Sequence, residues 1–557
     1  MDSFPLLSTI CYLPVIGALA IFFAPRAGRD LSRSIALVAS AASFVFSLVM
    51  LFAFEHNAEF QFTERRVWLD DLGVSYFLGV DGIAVLLIAL TTLLSLISIV
   101  WSWDTVRTRT REYYIAILLL ETGMLGVFMA LDLFIFYIFW ELMLIPMALL
   151  IGIWGSTDRV YAAVKFFLYT LFGSLLMLVG IVALYQSYFN ETGIRTLNIL
   201  ELQNGDYSRV FQFWVFAAFF IAFAVKVPMF PFHTWLPDAH VQAPTAASVI
   251  LAAVMLKMGG YGMLRFNLPL LPEGTEDWTP IIIVLSLIGI IYGALVALVQ
   301  PDMKKLIAYS SVSHMGFVTL GIFIGNQQGL DGAMMVMLAH GFNTGALFLI
   351  VGVVYERSHT RLISAFGGLA TRMPAWSAYF VLFMFASIGL PGLSGFVGEW
   401  LVALGTWDYN PWAATITFTV VIFAAWYMLW LVQRVVFQRA SGEAPDPGDT
   451  ELTAAERAEI AAHGGDREGG EHGHAAPLPV SGGSHDHAAH ADDHSTATHE
   501  GQLDSSHWPD LTVKEALTLA PLAVLTVVTG IYPKPIFDIV EPSFQAILEG
   551  AMRVVAN

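Results

Sequence analysis

The chain has 557 residues, of which 57% are hydrophobic and only 13% are charged, so its composition excludes an ordinary water-soluble globular protein. The formal net charge of −18 gives no argument for nucleic-acid binding, because 15 acidic residues against two arginines lie in the single segment Ser441–Asp510. The single cysteine, Cys11, excludes both a disulfide framework and a cysteine-ligated redox cluster within this chain.

Apolar segments long enough to cross a lipid bilayer recur along nearly the whole chain. About 18 apolar residues span a hydrocarbon core of about 30 Å as a helix, and continuous apolar runs favour helices over a β-barrel. The sequence therefore predicts an all-α polytopic membrane protein with about fourteen transmembrane helices. They are expected near Leu6–Phe23, Ile35–Phe54, Ile83–Trp103, Tyr114–Leu131, Phe134–Trp154, Ala162–Tyr188, Phe211–Val227, Ala243–Phe266, Ile281–Val299, Leu306–Ile324, Ala333–Val354, Trp376–Leu401, Ala413–Val436 and Leu517–Tyr532.

Lysine and arginine are concentrated in the loops that follow odd-numbered helices, for example Arg107, Arg159, Lys304 and Arg361. Basic residues of short loops are retained on the cytoplasmic side of a membrane. Both termini are therefore predicted to face the periplasm, and a bacterial inner membrane is the expected location.

One polar insertion, residues 440–510, interrupts the apolar pattern and contains nine of the fifteen histidines, including the clusters HGH and HDHAAH. Histidine clusters are typical zinc or nickel ligands. The low-complexity composition favours a disordered insertion instead, and no metal site is predicted. This loop follows an odd-numbered helix, which predicts that it is cytoplasmic.

Ionisable residues also occur inside the apolar segments, where a charge near the bilayer centre costs at least about 2.5–3.5 kcal/mol. Such residues are candidates for function by default. However, a lone histidine as often only forms a hydrogen bond between helices, and a buried lysine can form a static ion pair. Together they form a candidate proton-transfer series: Glu141, Lys226, Lys257, His314, His340 and Glu399.

Prolines break two of the predicted helices beside members of this series. Pro228 and Pro231 directly follow Lys226, and Pro391 precedes Glu399. Freed backbone groups at such breaks are tolerated in a membrane only inside protein or beside water, as in transporters with discontinuous helices. The shared plan predicts two inverted-repeat bundles, residues 111–266 and 279–437, between N-terminal helices 1–110 and a final helix with a C-terminal tail, 511–557.

A carboxylate beside a buried lysine supports a simple proton switch. Desolvation disfavours the lysine cation and a nearby carboxylate restores it, so moving Glu141 toward or away from Lys226 would load or eject a proton. Lys257, His314 and His340 would then relay protons to Glu399. Three further residues are candidates for gating or tuning: Lys165, His233 and His240.

Several motifs around these residues resemble the antiporter-like membrane subunits of proton-pumping NADH:quinone oxidoreductase, respiratory complex I, and in particular the subunit M (chain 4) branch of that family. They are WELMLIPM at 140–147, KFFLYTLFGS at 165–174, KVPMFPFHTWLPDAHVQAPTAASVILAAVMLKMGGYG at 226–262, KKLIAYSSVSHMGF at 304–317, HGFNTGALF at 340–348 and LPGLSGFVGE at 390–399. A glutamate at 399 favours this branch over its paralogues, and the insertion departs from the family pattern.

The resemblance implies that Glu141 and Lys226 form the channel pair, Lys257 is the central lysine, His314 and His340 are relay residues, and Glu399 is the terminal group. It implies no cofactor in this chain, with FMN, iron–sulfur clusters and quinone in partner subunits. The implied partners are other membrane and peripheral subunits, above all neighbouring antiporter-like subunits, together with lipids.

Three alternatives remain open from the sequence. A subunit of a multisubunit sodium/proton antiporter or membrane-bound hydrogenase would differ in sodium dependence and in the partners that copurify. A structural scaffold with static buried pairs predicts that neutralising Glu141 harms assembly rather than turnover. A quinone-reducing role is weaker, because no cofactor motif such as G-x-G-x-x-G follows a strand.

Overall fold

Helices form nearly all of the computed structural model, which describes residues 4–24, 29–438 and 508–555. The predicted histidine-rich insertion, up to residue 507, lies outside the described residues. In chain order the helices are α1 Leu6–Phe23, α2 Arg29–Ala53, α3 Gly82–Thr105, α4 Thr110–Met129, α5 Leu133–Leu142, α6 Leu144–Trp154, α7 Arg159–Thr192, α8 Ile199–Leu202, α9 Arg209–Lys226, α10 Trp235–Gln242, α11 Thr245–Leu270, α12 Pro272–Leu298, α13 Met303–Phe323, α14 Gln327–Ser358, α15 Leu369–Arg372, α16 Pro374–Ile388, α17 Ser394–Tyr409, α18 Pro411–Phe437, α19 Val513–Ile531 and α20 Lys534–Val555.

Within the described ranges, 13 helical spans are long and apolar enough to cross a membrane, α5 and α6 counting together as one. This confirms the predicted polytopic helical architecture. The remaining predicted helix, Trp376–Leu401, is divided into α16 and α17, as Pro391 predicted. Gly389 and Gly392 flank this proline with φ values of +84° and +93°, a backbone region that glycine adopts without steric cost.

Three helices, α11, α13 and α14, form the centre of the bundle. In the most apolar 18-residue window of each helix, 100% of the residues are buried inside the protein for α11, 94% for α13 and 100% for α14. The corresponding values are 33% for α2, 39% for α7 and 28% for α19. The central helices therefore contact almost only protein, and their polar side chains are shielded from lipid. Lys257, His314 and His340 all lie on these three helices.

The predicted single helix Phe134–Trp154 contains a break that the sequence interpretation missed. The structure ends α5 at Leu142 and begins α6 at Leu144. Pro146 explains the break, since it has no N–H to donate to the Leu142 carbonyl one turn earlier and its ring crowds that carbonyl. Glu141 consequently lies in the last turn of a helix and not in its middle.

A two-stranded antiparallel sheet, β1 Gln61–Leu69 and β2 Val74–Val80, adds to the all-α prediction. The sequence interpretation missed it because charged residues interrupt strand β1, whose outer positions are exposed.

The C-terminal tail forms the unpredicted helix α20, which packs against the start of α3. At this contact the Gly82 amide donates to Ser543 Oγ at 3.2 Å, and a Cβ on Gly82 would lie 1.9 Å from the Ile539 carbonyl oxygen.

Candidate functional site

Glu141 and Lys226 lie at the ends of two interrupted helices, α5 and α9. Glu141 is partly buried, and its Oε1 atom is buried without a hydrogen-bond partner among the residues that the structure describes. No ion-pair contact among the described residues joins it to Lys226, although its charge acts on the lysine. The two groups are therefore neighbours in an electrostatic sense and are not locked together.

Two aromatic rings lie beside the Lys226 ammonium, and no carboxylate among the described residues forms an ion pair with it. The side chain is 1% exposed, and Nζ lies 5.2 Å from the ring centre of Trp140 and 5.8 Å from that of Phe166. The negative face of an aromatic ring attracts a cation without forming a fixed hydrogen bond. Nζ has no hydrogen-bond partner in the part of the chain that the structure describes, so its protons are not committed to a neighbour there.

Lys257 lies in α11 directly after a π-helical turn, Leu251–Met255. The i→i+5 geometry of such a turn leaves carbonyl groups free, and these turns recur at functional sites. Lys257 Nζ donates to the Ala252 carbonyl at 2.6 Å and lies 2.8 Å from His340 Nδ1 on α14. The lysine is completely buried, so these contacts replace the water that an ammonium would otherwise bind.

His314 on α13 and Glu399 on α17 form a second contact, with 2.8 Å between His314 Nδ1 and Glu399 Oε1. Glu399 reaches the histidine because α17 restarts after the proline break. The rings of His314 and His340 have centres 5.8 Å apart, and both Nε2 atoms are buried without a hydrogen-bond partner within residues 4–24, 29–438 and 508–555. The structure thus brings four predicted residues, Lys257, His340, His314 and Glu399, into one series.

This series is suited to proton transfer, since every member gains and loses protons and successive members are close. Histidine can accept a proton at one ring nitrogen and release another from the opposite nitrogen. A lysine lies at one end of the series and a carboxylate lies at the other. All four side chains are buried, which keeps the series away from lipid and bulk water.

The three predicted tuning residues make contacts outside this series. Lys165 Nζ donates to Asp238 Oδ2 of α10 at 2.7 Å, and so pairs with the helix after the Lys226 break. His233 lies against Tyr292, with ring centres 5.0 Å apart. His240 is completely buried and stacks on Phe348, with ring centres 4.7 Å apart. Neither ring nitrogen of either histidine has a hydrogen-bond partner in the described ranges of the chain.

The sequence interpretation missed Lys304 as part of the site. Its position in a basic loop indicated only the orientation of the chain in the membrane. It is 4% exposed, and Nζ donates to the Ala243 carbonyl at 2.6 Å. It lines a cavity of 310 Å³ whose charged wall also contains Arg107, Arg159, Arg361 and Glu356. The charges of Lys304 and Lys257 both act on His240, which lies near each of them.

Glu121 is a second buried carboxyl that the sequence interpretation overlooked. It lies in α4, is completely buried, and its Oε1 accepts from Ser40 Oγ at 3.1 Å. The signal was available, because Glu121 interrupts the apolar run LLLETGML. The contact with Ser40 places it at the interface of α2 and α4.

Known proteins share the sequence pattern and the fold of this chain. Residues 130–424 match the profile of the family described as NADH:quinone oxidoreductase/Mrp antiporter, transmembrane. The chain is 53% identical over 446 residues to NADH-quinone oxidoreductase subunit M of Rhodobacter capsulatus, covering 78% of this chain and 86% of the relative.

Two solved structures share the fold. A chain of respiratory complex I from Thermus thermophilus with bound NADH aligns with a TM-score of 0.78 at 28% identity, covering 98% of this chain and 99% of that one. A chain of the Mrp complex from a Dietzia species aligns with a TM-score of 0.73 at 22% identity, covering 98% of this chain and 51% of that one. The second likeness concerns the fold alone.

Proposed function

The chain belongs to the NADH:quinone oxidoreductase/Mrp antiporter transmembrane family, and from that premise we propose that it is the proton-translocating membrane subunit of an NADH:quinone oxidoreductase. The series of buried titratable groups from Lys257 to Glu399 is the observation that carries this proposal. NADH oxidation and quinone reduction take place in partner subunits, which hold the FMN, the iron–sulfur clusters and the quinone. This chain supplies the path for protons.

Glu141 and Lys226 form the switch of the proposed pump. An unpaired ammonium in a buried site is unfavourable, and an approaching carboxylate stabilises it. Both residues lie at helix interruptions, where the backbone can shift without disturbing a continuous helix. Movement of Glu141 toward Lys226 loads a proton on the lysine, and movement away releases it toward Lys257.

The energy scale is adequate for such a switch. Moving one charge against about 150–200 mV requires about 3.5–4.6 kcal/mol. A charge interaction at 4 Å is worth about 4 kcal/mol at the effective dielectric constant typical near a protein surface, and it weakens with distance. A displacement of the Glu141 carboxylate by a few ångströms therefore changes the free energy by the required order.

Proton uptake is assigned to the 310 Å³ cavity that Lys304 lines. Its arginines belong to loops that the positive-inside rule places in the cytoplasm, so both termini of the chain face the periplasm of a bacterial inner membrane. Within this proposal His240 is the gate, because it is completely buried, its ring nitrogens have no hydrogen-bond partner among the described residues, and the charges of Lys304 and Lys257 act on it. Lys165, paired with Asp238, and His233 tune the break after Lys226.

The bundles 111–266 and 279–437 then work as two antiporter-like units, one holding the switch and the other holding most of the relay. The exposed apolar faces of α7 and α18 are available to lipids and to neighbouring antiporter-like subunits. A nearby unit could receive the conformational signal through such a face.

The test is Glu141→Ala in inverted membrane vesicles without added sodium, measuring NADH:quinone turnover and the proton gradient together. With assembly intact, both are expected to fall, because a pump tied to NADH oxidation cannot turn over without its switch. Glu276→Gln is the matched control, since Glu276 is exposed and pairs with Arg209 at the surface.

Each other outcome identifies an alternative. Turnover and pumping that both persist in Glu141→Ala would overturn the proposal, and a sodium/proton antiporter subunit would become the leading account. Loss of assembly with normal turnover in the residual complex would instead favour a structural scaffold.

A further inference from the structure

The 310 Å³ cavity assigned above to proton uptake has a wall rich in hydrogen-bond donors. Its charged side chains are four cations, Arg107, Arg159, Lys304 and Arg361, and one carboxylate, that of Glu356. Arginine and lysine side chains are donors only and accept no hydrogen bond. A ligand that matches this wall carries negative charge and accepts several hydrogen bonds.

Three of the four cations are not neutralised by a carboxylate contact. Arg361 is paired with Asp302, with 3.3 Å between Nε and Oδ2. Arg107, Arg159 and Lys304 each donate to a backbone carbonyl instead, and no ion pair joins them to a carboxylate within the described ranges. Lys304 is also 4% exposed. A buried cation without a counter-charge is unfavourable, so the wall favours an anion that pairs with it.

Two further kinds of donor in the wall lack a side-chain acceptor. Trp101 is 4% exposed, and its buried indole Nε1 has no hydrogen-bond partner among the residues that the structure describes. Helix α11 begins at Thr245 in the cavity wall, and Pro244 before it supplies no side-chain cap for the first turn. The amide hydrogens of a first helical turn and the helix dipole both favour an anion.

We propose that this cavity binds a phosphate group between the start of α11 and the Lys304 ammonium. Phosphate oxygens accept several hydrogen bonds each, and a guanidinium can bind two of them at once. Small-molecule sites have volumes of about 300–1,000 Å³, so a cavity of 310 Å³ has room for one such group. Neither the uncapped first turn of α11 nor the indole of Trp101 would then remain without an acceptor.

This inference rests on the proposed function in one respect, namely that protons enter the chain through this cavity. Positive charge at an entrance repels an approaching proton, and a bound phosphate group offsets part of that charge. The anion is therefore expected to accelerate proton uptake without being consumed. Binding of the anion can be measured without turnover, so the two proposals can fail separately.

The first test is the binding of radioactive inorganic phosphate to the purified complex in phosphatidylcholine bilayers. Lys304→Gln removes one cation and should weaken one class of phosphate site by at least about 10-fold, as for loss of a hydrogen bond to a charged group. Lys305→Gln is the matched control, because it removes the same charge one position later and Lys305 is not part of the cavity wall. Equal phosphate binding by Lys304→Gln and the unmodified complex would overturn the site.

Arg159→Gln keeps the site testable if Lys304→Gln does not assemble. Arg159 lies at the exposed start of α7 and lines the same cavity, so its replacement disturbs the packing less. Phosphate affinity should fall about 3- to 10-fold. An affinity like that of Lys305→Gln would count against the site.

Two sources can supply the phosphate group, namely free hydrogenphosphate and the headgroup of an anionic lipid, which basic cytoplasmic pockets of membrane proteins also bind. Adding phosphatidylglycerol to the bilayers distinguishes them. Unchanged affinity for inorganic phosphate identifies the free anion as the ligand, and displacement of phosphate by the lipid identifies the headgroup. Phosphate binding that is insensitive to Lys304→Gln in both membranes would refute the site for either source.

The second test measures the role in uptake, using inverted vesicles at constant pH and ionic strength. Adding phosphate should raise NADH-driven proton pumping about 2- to 5-fold to a plateau, and sulfate should act alike because the effect is one of charge. Lys304→Gln should abolish the increase and Lys305→Gln should retain it. A rate independent of both anions would refute the role in uptake. Glu141→Ala should bind phosphate normally, whatever its effect on turnover.

Discussion

Glu141 and Lys226 interact through their charges, with no ion-pair contact between them in the described structure, whereas the region from Lys257 to Glu399 has a contact of 2.8 Å at each end. The first region lies at helix interruptions, whereas three of the four residues of the second lie on the three most buried helices, α11, α13 and α14. A pair that must change its separation cannot be locked by a short hydrogen bond. A path that must conduct protons benefits from short, fixed contacts.

The aromatic rings around Lys226 fit the first role. Trp140 and Phe166 stabilise the cation without a directional bond, so Glu141 can move without breaking one. The π-helical turn before Lys257 fits the second role, because the Ala252 carbonyl holds the ammonium in place. Burial alone therefore does not distinguish a proton switch from a proton-conducting path, whereas the contacts of the charged groups do.

The largest effect is expected for Lys257→Met, which interrupts the series of contacts from Lys257 to Glu399. This change removes the donor to His340 while nearly keeping the side-chain length, so NADH-driven proton pumping should fall about 100-fold or more. Pumping in inverted vesicles is the measurement, with native electrophoresis to establish that the complex assembles. Lys534→Met, at an exposed lysine paired with Asp538, is the control. Pumping near the control rate would remove Lys257 from the path.

The same chemical change in both regions sharpens the comparison. Glu399→Asp withdraws the carboxylate by one methylene from a contact of 2.8 Å, and pumping should fall about 10-fold or more, as for loss of a hydrogen bond to a charged group. Glu141→Asp alters only a charge interaction, and pumping should fall about 2- to 3-fold.

The rates of these two variants are to be compared in one vesicle preparation protocol, each normalised to the amount of assembled complex. The reverse order, with Glu141→Asp the more damaging, would show that the switch needs precise contact and that the distinction between the two regions is wrong.

The smallest expected effect is that of Lys165→Met, which removes the ion pair with Asp238. Both side chains are partly exposed, at 21% and 36%, so the pair is worth about 0.2–1 kcal/mol and pumping should fall by about 5-fold at most. Asp238→Asn removes the same pair and should give a matching decrease. An effect as large as that of Lys257→Met would place Lys165 in the proton path and not beside it.

The family predicted from the motifs is confirmed by the relatives, and the helical architecture by the structure. Proline chemistry predicted the interruptions after Lys226 and before Glu399, because a missing N–H acts locally. The same rule applied to Pro146 and was not used there, so the break beside Glu141 was missed. Strands β1 and β2 were missed because their pairing depends on the neighbouring strand more than on their own pattern.

The sequence by itself determined that this is a multi-pass membrane protein and which residues are candidates for function. A charge in lipid is costly wherever it lies, so Lys226, Lys257 and Glu399 stand out without knowledge of their neighbours. Only the tertiary structure decided which candidates contact one another. Lys165 meets Asp238 across 73 positions of the chain, and Thr526 meets Asn343 across 183. Such contacts depend on how whole helices pack, and local patterns of the chain carry no record of them.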